Sequence, residues 1–176
     1  MLLMISMGFT MFMRSSEITQ LTWGRIDLDK RLIVLTPDDT KTKQGRKINI
    51  SSVVYEMLVS RESKDHGAAL FGNRFDVNKP MSRQGYKNQW KATKANAGVK
   101  CRFHDLRHSG LTRAFKTSNQ WAQICHAAGL SLEEAEKTYL HITHEDTRFC
   151  AELISIPNDN SDKSVTPKLI EMERTT

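Results

Sequence analysis

The sequence predicts a mainly α fold with a small antiparallel β-sheet, an α+β domain, and three observations predict it. Most of the 176 residues read as short amphipathic helices with polar caps. Two β-rich runs, Arg31–Thr36 and Arg46–Ile50, flank the polar, Gly-containing stretch PDDTKTKQG, which is the signature of a hairpin. The longest helical segment is punctuated at both ends, by Ser82 before it and Gly98 after it.

Taken in order, the opening run MLLMISMGFTMFM is apolar but has no basic leader and is too short to span a bilayer. It reads as a core helix. Because it starts at full apolar stride without a cap, the chain is expected to begin partway into a domain. Ser15 and Ser16 are candidate caps for a short helix, and Ile18, Leu21 and Trp23 are core. After the hairpin, Ser51 or Ser52 caps a helix through Val54 and Leu58. A loop over 63–80 precedes the helix from Ser82 to Ala97. Helices around 104–115, 119–127, 131–140 and 144–153 complete the body. Residues 1–156 therefore form one domain, and 157–176, opening with the polar NDNSDKS, form a flexible tail.

Charge points to a polyanionic partner. Twenty-six Lys and Arg against 20 Asp and Glu give a net charge of +6 and a pI near 9.3. The charge is also segregated. From Lys79 to Arg107 the basic residues face one acid, Asp105, whereas Glu133, Glu134, Glu136, Glu145, Asp146 and Glu152 dominate after Ser131. Arg83, Lys87, Lys91 and Lys94 recur at helical spacing and line one stripe, while Tyr86 and Trp90 share a buried face. Such a stripe is either a solvated face or a track for phosphates, giving affinity and register rather than choice of sequence. Cys101, Cys125 and Cys150 are odd in number and contain no CxxC pair, so neither a disulfide framework nor a metal site is predicted.

His104 and Arg107 lie three apart and so project from one side of a helix. Alone, the pair means little. Four blocks together are more specific: Arg14, Glu17, Ile18, Leu21, Trp23, Ile26 and Asp27; Thr40, Lys41, Thr42, Arg46, Ile48 and Ile50; the unbroken HDLRHS from His104 to Ser109; and Tyr139-Leu140-His141, ten residues after Gly129. In order and spacing they resemble the catalytic domain of the tyrosine recombinase (phage integrase) family, from Met1 to about Leu153.

The resemblance implies site-specific DNA recombination through a 3′-phosphotyrosine intermediate. It implies Tyr139 as nucleophile, Arg14 and Arg107 on the non-bridging phosphate oxygens, Lys41 as the acid for the leaving 5′ oxygen, and His104 in proton transfer and phosphate contact. Lys43 joins the stripe of Arg83, Lys87, Lys91 and Lys94 as a DNA contact. No metal or other cofactor is implied, since fixed cations can offset the phosphate charge. The implied partners are double-stranded DNA and further copies of the chain, as a tetramer on DNA, with residues after Pro157 free to dock on a neighbour. The implied location is the cytoplasm, on DNA, with no membrane. Members of the family also clamp DNA with an upstream helical domain; this sequence shows none, so weak binding is expected.

Two positions depart from the pattern. Phe12 stands where the family usually has Gly, two residues before the first arginine. Leu130 stands at the fifth catalytic position, normally His or Trp, twenty-three residues after Arg107 and nine before Tyr139. Leucine packs but cannot donate a hydrogen bond. His126, one turn earlier, is a candidate substitute. The alternatives are therefore a DNA-binding remnant whose chemistry is impaired, and a basic helical interaction module unrelated to recombination.

Overall fold

The computed structural model describes residues 1–40, 45–61, 65–73, 75–76 and 78–140. The opening helix, α1 (Leu2–Thr10), is apolar nearly all round, and a helix with that pattern is stable only when surrounded. Accordingly Leu3, Met4 and Met7 are fully buried, and α1 lies against α5 (Phe103–Thr117). The approach is close enough to require glycine. A Cβ on Gly110 would collide with the Phe9 carbonyl oxygen, whereas one on Gly8 would stand 3.1 Å from the ring edge of Phe103.

Helix α2 (Ser15–Thr19) follows a sharp turn in which Phe12 adopts φ 55°. That left-handed conformation is one glycine adopts freely; for phenylalanine it costs about 1–3 kcal/mol. Ser15 and Ser16, the candidate caps in the sequence, are the first two residues of α2 itself. The structure places the cap on Arg14, whose backbone N–H donates to the Glu17 carboxylate at 2.8 Å, because a charged acceptor one turn on outcompetes a hydroxyl.

The hairpin forms as predicted, from β2 (Leu32–Leu35) and β3 (Arg46–Asn49), and a third strand, β1 (Ile26–Asp27), adds to it in the antiparallel order β1-β2-β3. Two residues are too few for period-two alternation to show, so β1 was not legible in the sequence. Ile33 pairs with Ile48 and Leu35 with Arg46, and all four side chains are buried. Helix α3 (Ser52–Val59) buries Val54 and Leu58 against the same core.

Helix α4 (Arg83–Ala97) is capped as predicted. Ser82 Oγ accepts from the Gly85 N–H at 3.0 Å, and Gly98 closes the other end at φ 66°. Trp90 is buried, and Tyr86 and Trp90 meet Phe103 edge-on with centroids 5.6 and 5.4 Å apart. A second, smaller core gathers Leu111 and Phe115 of α5, Cys125 and Ala128 of α6 (Trp121–Ala128) and Ala135 of α7 (Leu132–Ala135). The single helix predicted over 131–140 divides here: α7 runs into a π-helical turn, Glu136–Leu140. Helical spacing cannot signal such a widened turn. The helix predicted around 144–153 and the tail lie outside the described residues. No described helix is long and apolar enough to cross a membrane, and no described group of three or more His, Cys, Asp or Glu could hold a metal.

The two glycines at the α1–α5 contact should respond differently to alanine. Gly110→Ala must push backbone from backbone, costing about 3 kcal/mol, a fall in melting temperature of about 6–12 °C. Gly8→Ala meets a ring that can tilt and should cost clearly less. Equal losses in thermal melts would mean that the helices do not pack this tightly.

Candidate active site

The C-terminal end of α6 is where the sequence-predicted residues meet. Its last carbonyls have no intrahelical partner and carry the negative end of the helix dipole, so cations are favoured there. Gly129 closes the helix at φ 64°, and Leu130 N–H donates back to the Cys125 carbonyl at 3.0 Å. Arg107 Nη2 donates to the Ala128 carbonyl at 2.9 Å, its Nη1 donates to the Phe12 carbonyl, and Arg14 Nη2 donates to the Gly129 carbonyl at 3.2 Å. Two guanidiniums from distant segments are thus held at one helix end. The left-handed turn at Phe12 aims its carbonyl at Arg107, which gives that strained backbone a reason.

Arg107 is 3 % exposed, and burial together with the neighbouring Arg14 charge brings its pKa down to about 10, still fully charged at neutral pH. What balances this crowding is Glu17, 2 % exposed. Its carboxylate accepts from Arg14 Nη1 at 3.1 Å and from both Nη1 and Nη2 of Arg46 at 2.9 Å each, a forked pair between α2 and β3. Burial pushes the Glu17 carboxyl upward, but the Arg46 and Arg14 hydrogen bonds and charges outweigh it and hold the group below its ordinary value.

Arg46 is the residue that sequence reasoning undervalued. In the sequence it is marked only as a hairpin position. The available signal was parity: in RKINI, Arg46 alternates in phase with Ile48 and Ile50, and a charge on the inward face of a strand needs a buried partner. Gly129 is part of the same fit, because a Cβ there would stand 3.0 Å from Arg46 Nη1.

Tyr139 sits on the π-helical turn, with its hydroxyl 2.9 Å from His108 Nδ1. Burial, with the Glu134 charge, raises its pKa above the usual phenol value, while the Arg107 charge opposes the rise. His104 is exposed and meets His108 edge-on at 5.0 Å. Burial of part of its ring, then the neighbouring His108 imidazole and the charges of Arg107 and Arg102, keep it below the ordinary histidine value, so it is mainly neutral at pH 7. Leu130 packs into the second core, and with His126, Arg46 and Gly129 it lines a cleft of about 320 Å³. Arg83, Lys87 and Lys91 are exposed along α4, and Lys94 is half-buried. Lys41 and Lys43 lie outside the described residues.

Glu17 should therefore control stability. Glu17→Gln strands two arginines, one of them buried, and should cost about 3–5 kcal/mol, a melting temperature lower by about 10 °C or more. Since its folded pKa is lowered, the Glu17 contribution is fully present above the ordinary value of 4.5 and is lost as pH falls through the folded value. Calorimetry from pH 6 to 3 should show a steeper loss for wild type than for Glu17→Gln. Parallel slopes would rule out this carboxylate as the acid-sensitive link.

Comparison with known proteins places this arrangement. A sequence model of the phage integrase family matches residues 1–146. A shufflon-specific DNA recombinase of Escherichia coli is 28 % identical over 132 residues, 74 % of this chain and 32 % of that protein. The fold resembles the Tn1549 transposon integrase, solved in complex with a circular intermediate DNA (TM-score 0.65, 20 % identity, 85 % of this chain and 57 % of that one). It also resembles the XerH site-specific recombinase bound to its difH substrate (TM-score 0.66, 21 % identity, 86 % and 45 %) and the catalytic domain of bacteriophage HP1 integrase (TM-score 0.60, 18 % identity, 86 % and 80 %). The chain spans about a third of the curated relative and about half of the two larger structures. With residues 1–146 of 176 matched, this chain belongs to the phage integrase family.

Proposed function

We propose that the chain is the catalytic domain of a site-specific recombinase that cuts and rejoins double-stranded DNA through Tyr139. The observation that carries this reading is the convergence of Arg14, Arg107, His104 and Tyr139 from three separate elements, with the two arginines on the end of α6 and His104 and Tyr139 both against His108. In this reading Arg14 and Arg107 hold the non-bridging oxygens of the scissile phosphate. Guanidiniums suit that task, because they stay charged and present forked donors to the negative charge that spreads over the equatorial oxygens during attack. The Tyr139 oxygen bonds to phosphorus and the bond to the 5′ oxygen breaks, with Lys41 supplying the proton to that oxygen. His104, neutral at pH 7, assists proton transfer and contacts the phosphate. The covalent intermediate conserves the phosphodiester bond, so the reverse attack by a 5′ hydroxyl reseals the strand without ATP.

The α4 stripe and Lys43 then track the DNA backbone. Residues 1–156 act as the domain, with the segment from 157 onward passing to a neighbour in a tetramer on DNA, inside the cell. A second reading is favoured by one observation. Leu130 sits beside Arg46 and Gly129 and packs into the apolar core, so the position can hold structure while offering no donor to the phosphate. On that reading the chain is a DNA-binding remnant of an integrase.

Relaxation of supercoiled plasmid in excess EDTA separates the two. Wild type should relax DNA slowly, Tyr139→Phe should not relax it at all, and Leu130→His should accelerate it by about 10²-fold, the usual worth of one transition-state donor. Inertness of all three with DNA binding intact would establish the remnant. Binding itself tests the stripe. Replacing Lys87 and Lys91 with Gln should weaken DNA binding about equally for unrelated sequences and lower the log–log salt slope by about 0.9 per lost phosphate contact. An unchanged slope would remove α4 from the interface.

A further inference from the structure

The Tyr139 hydroxyl is 2.9 Å from His108 Nδ1, and the reading above gives His108 no part. We infer that His108 is a positioning residue for Tyr139 and accepts its phenolic proton as the tyrosine attacks the phosphodiester. This inference rests on the strand-transfer reading.

Geometry carries it first. The tyrosine ring lies against two side chains of α5 that are seven residues apart and so share a helix face: His108, with centroids 5.3 Å apart at 40°, and Phe115, at 5.4 Å and 30°. These contacts fix the plane of the ring, and the hydroxyl then meets the imidazole edge. The π-helical turn contributes as well. Widening the helix at Glu136–Leu140 shifts Tyr139 from where an α-helix would carry it, and such turns recur where function sets a side chain's place. Finally, His108 stands between the nucleophile and His104, whose ring it meets at 85°. The charged and titratable groups around the pair are His104 and Arg107 from α5, Glu134 from α7, and Arg14 beyond Arg107.

The chemistry balances. A neutral imidazole hydrogenated at Nε2 presents a lone pair at Nδ1, toward the phenol. As the phenolic oxygen bonds to phosphorus, its proton passes to Nδ1 and the P–O5′ bond breaks. The 5′ oxygen takes a separate proton from Lys41. The products are a 3′-phosphotyrosine, a 5′ hydroxyl, an imidazolium and a neutral amine, and resealing runs the same transfers backward.

Two measurements on the intact chain test this. The first reads the contact without any reaction. In protein labelled with 3-fluorotyrosine there are three tyrosines, Tyr55, Tyr86 and Tyr139, and the ¹⁹F resonance of Tyr139 is the one lost in Tyr139→Phe. It should move with the titration of the His108 ring and be displaced in His108→Phe. A resonance indifferent to both overturns the inference. The second reads chemistry, as plasmid relaxation beside DNA affinity. His108→Phe should slow relaxation about 10²-fold or more, with affinity unchanged. His108→Asn, which holds a hydrogen-bonding atom where Nδ1 was, should recover part of that loss, while His108→Gln, which holds it one bond farther out, should not. A wild type that relaxes DNA through Tyr139, with His108→Phe equally fast, overturns the inference and leaves the strand-transfer reading standing. A wild type inert both as it is and with Leu130→His overturns that reading and the proton transfer with it, and the ¹⁹F shift still decides whether His108 positions the tyrosine.

Discussion

One carboxylate, that of Glu17, ties together three pieces of chain that folding must bring into register: the turn after α1, the inner face of β3 and, through Arg14, the end of α6. The site gathers Arg14, Arg46 and Arg107 within mutual electrostatic reach, and three buried or half-buried cations would repel one another without a counter-charge. Glu17 supplies it in the form that best survives burial, with both oxygens occupied and forked geometry on Arg46. The remaining offset comes from backbone, the carbonyls of Phe12, Ala128 and Gly129. Because the Arg46 side chain faces the core while its backbone pairs with Leu35 of β2, the sheet and the arginine cluster cannot shift independently.

That coupling explains why the site lies at the junction of the two apolar cores. The larger core fixes α1, the sheet and α3, and therefore Arg14 and Arg46; the smaller one fixes α6, α7 and the Tyr139 ring. Helix α5 belongs to both, with Phe103 in one and Leu111 and Phe115 in the other, and it carries His104, Arg107 and His108 between them. Tyr139 and the arginines Arg14 and Arg107 are thus set by separate packing units joined through one helix. The arrangement gives a rigid placement without crowding every functional group onto a single element.

How much of this was legible depends on the range of the signal. Helix α4 could be read to within a residue because Ser82, Gly98 and the Tyr86–Trp90 spacing are all local. The hairpin was legible for the same reason. Arg14, Arg107 and Tyr139 stand out in the sequence only by block order, which reports ancestry and not geometry. What escaped was tertiary. The carbonyls that hold the arginines carry no side-chain signature, the π-helical turn has no period of its own, and the Tyr139–His108 contact joins residues 31 apart. Arg46 lies between these cases, since its strand parity was visible but its partner was not.

The two departures from the family pattern act on different quantities. Phe12 takes the left-handed turn at a conformational cost, yet the feature its position supplies is a backbone carbonyl, and every residue has one. Its ring recovers some of that cost by packing on the second core. Phe12 is therefore a change in stability, borne by the fold and invisible to the chemistry. Leu130 is the reverse. It also packs on the second core, and its backbone still closes α6 through Cys125, so the fold loses nothing. What the side chain cannot do is donate a hydrogen bond, and that matters only when negative charge develops beside it. In the proposed strand-transfer reading, a domain can therefore keep every structural requirement of this site while surrendering part of its rate, and Leu130 is where that separation falls.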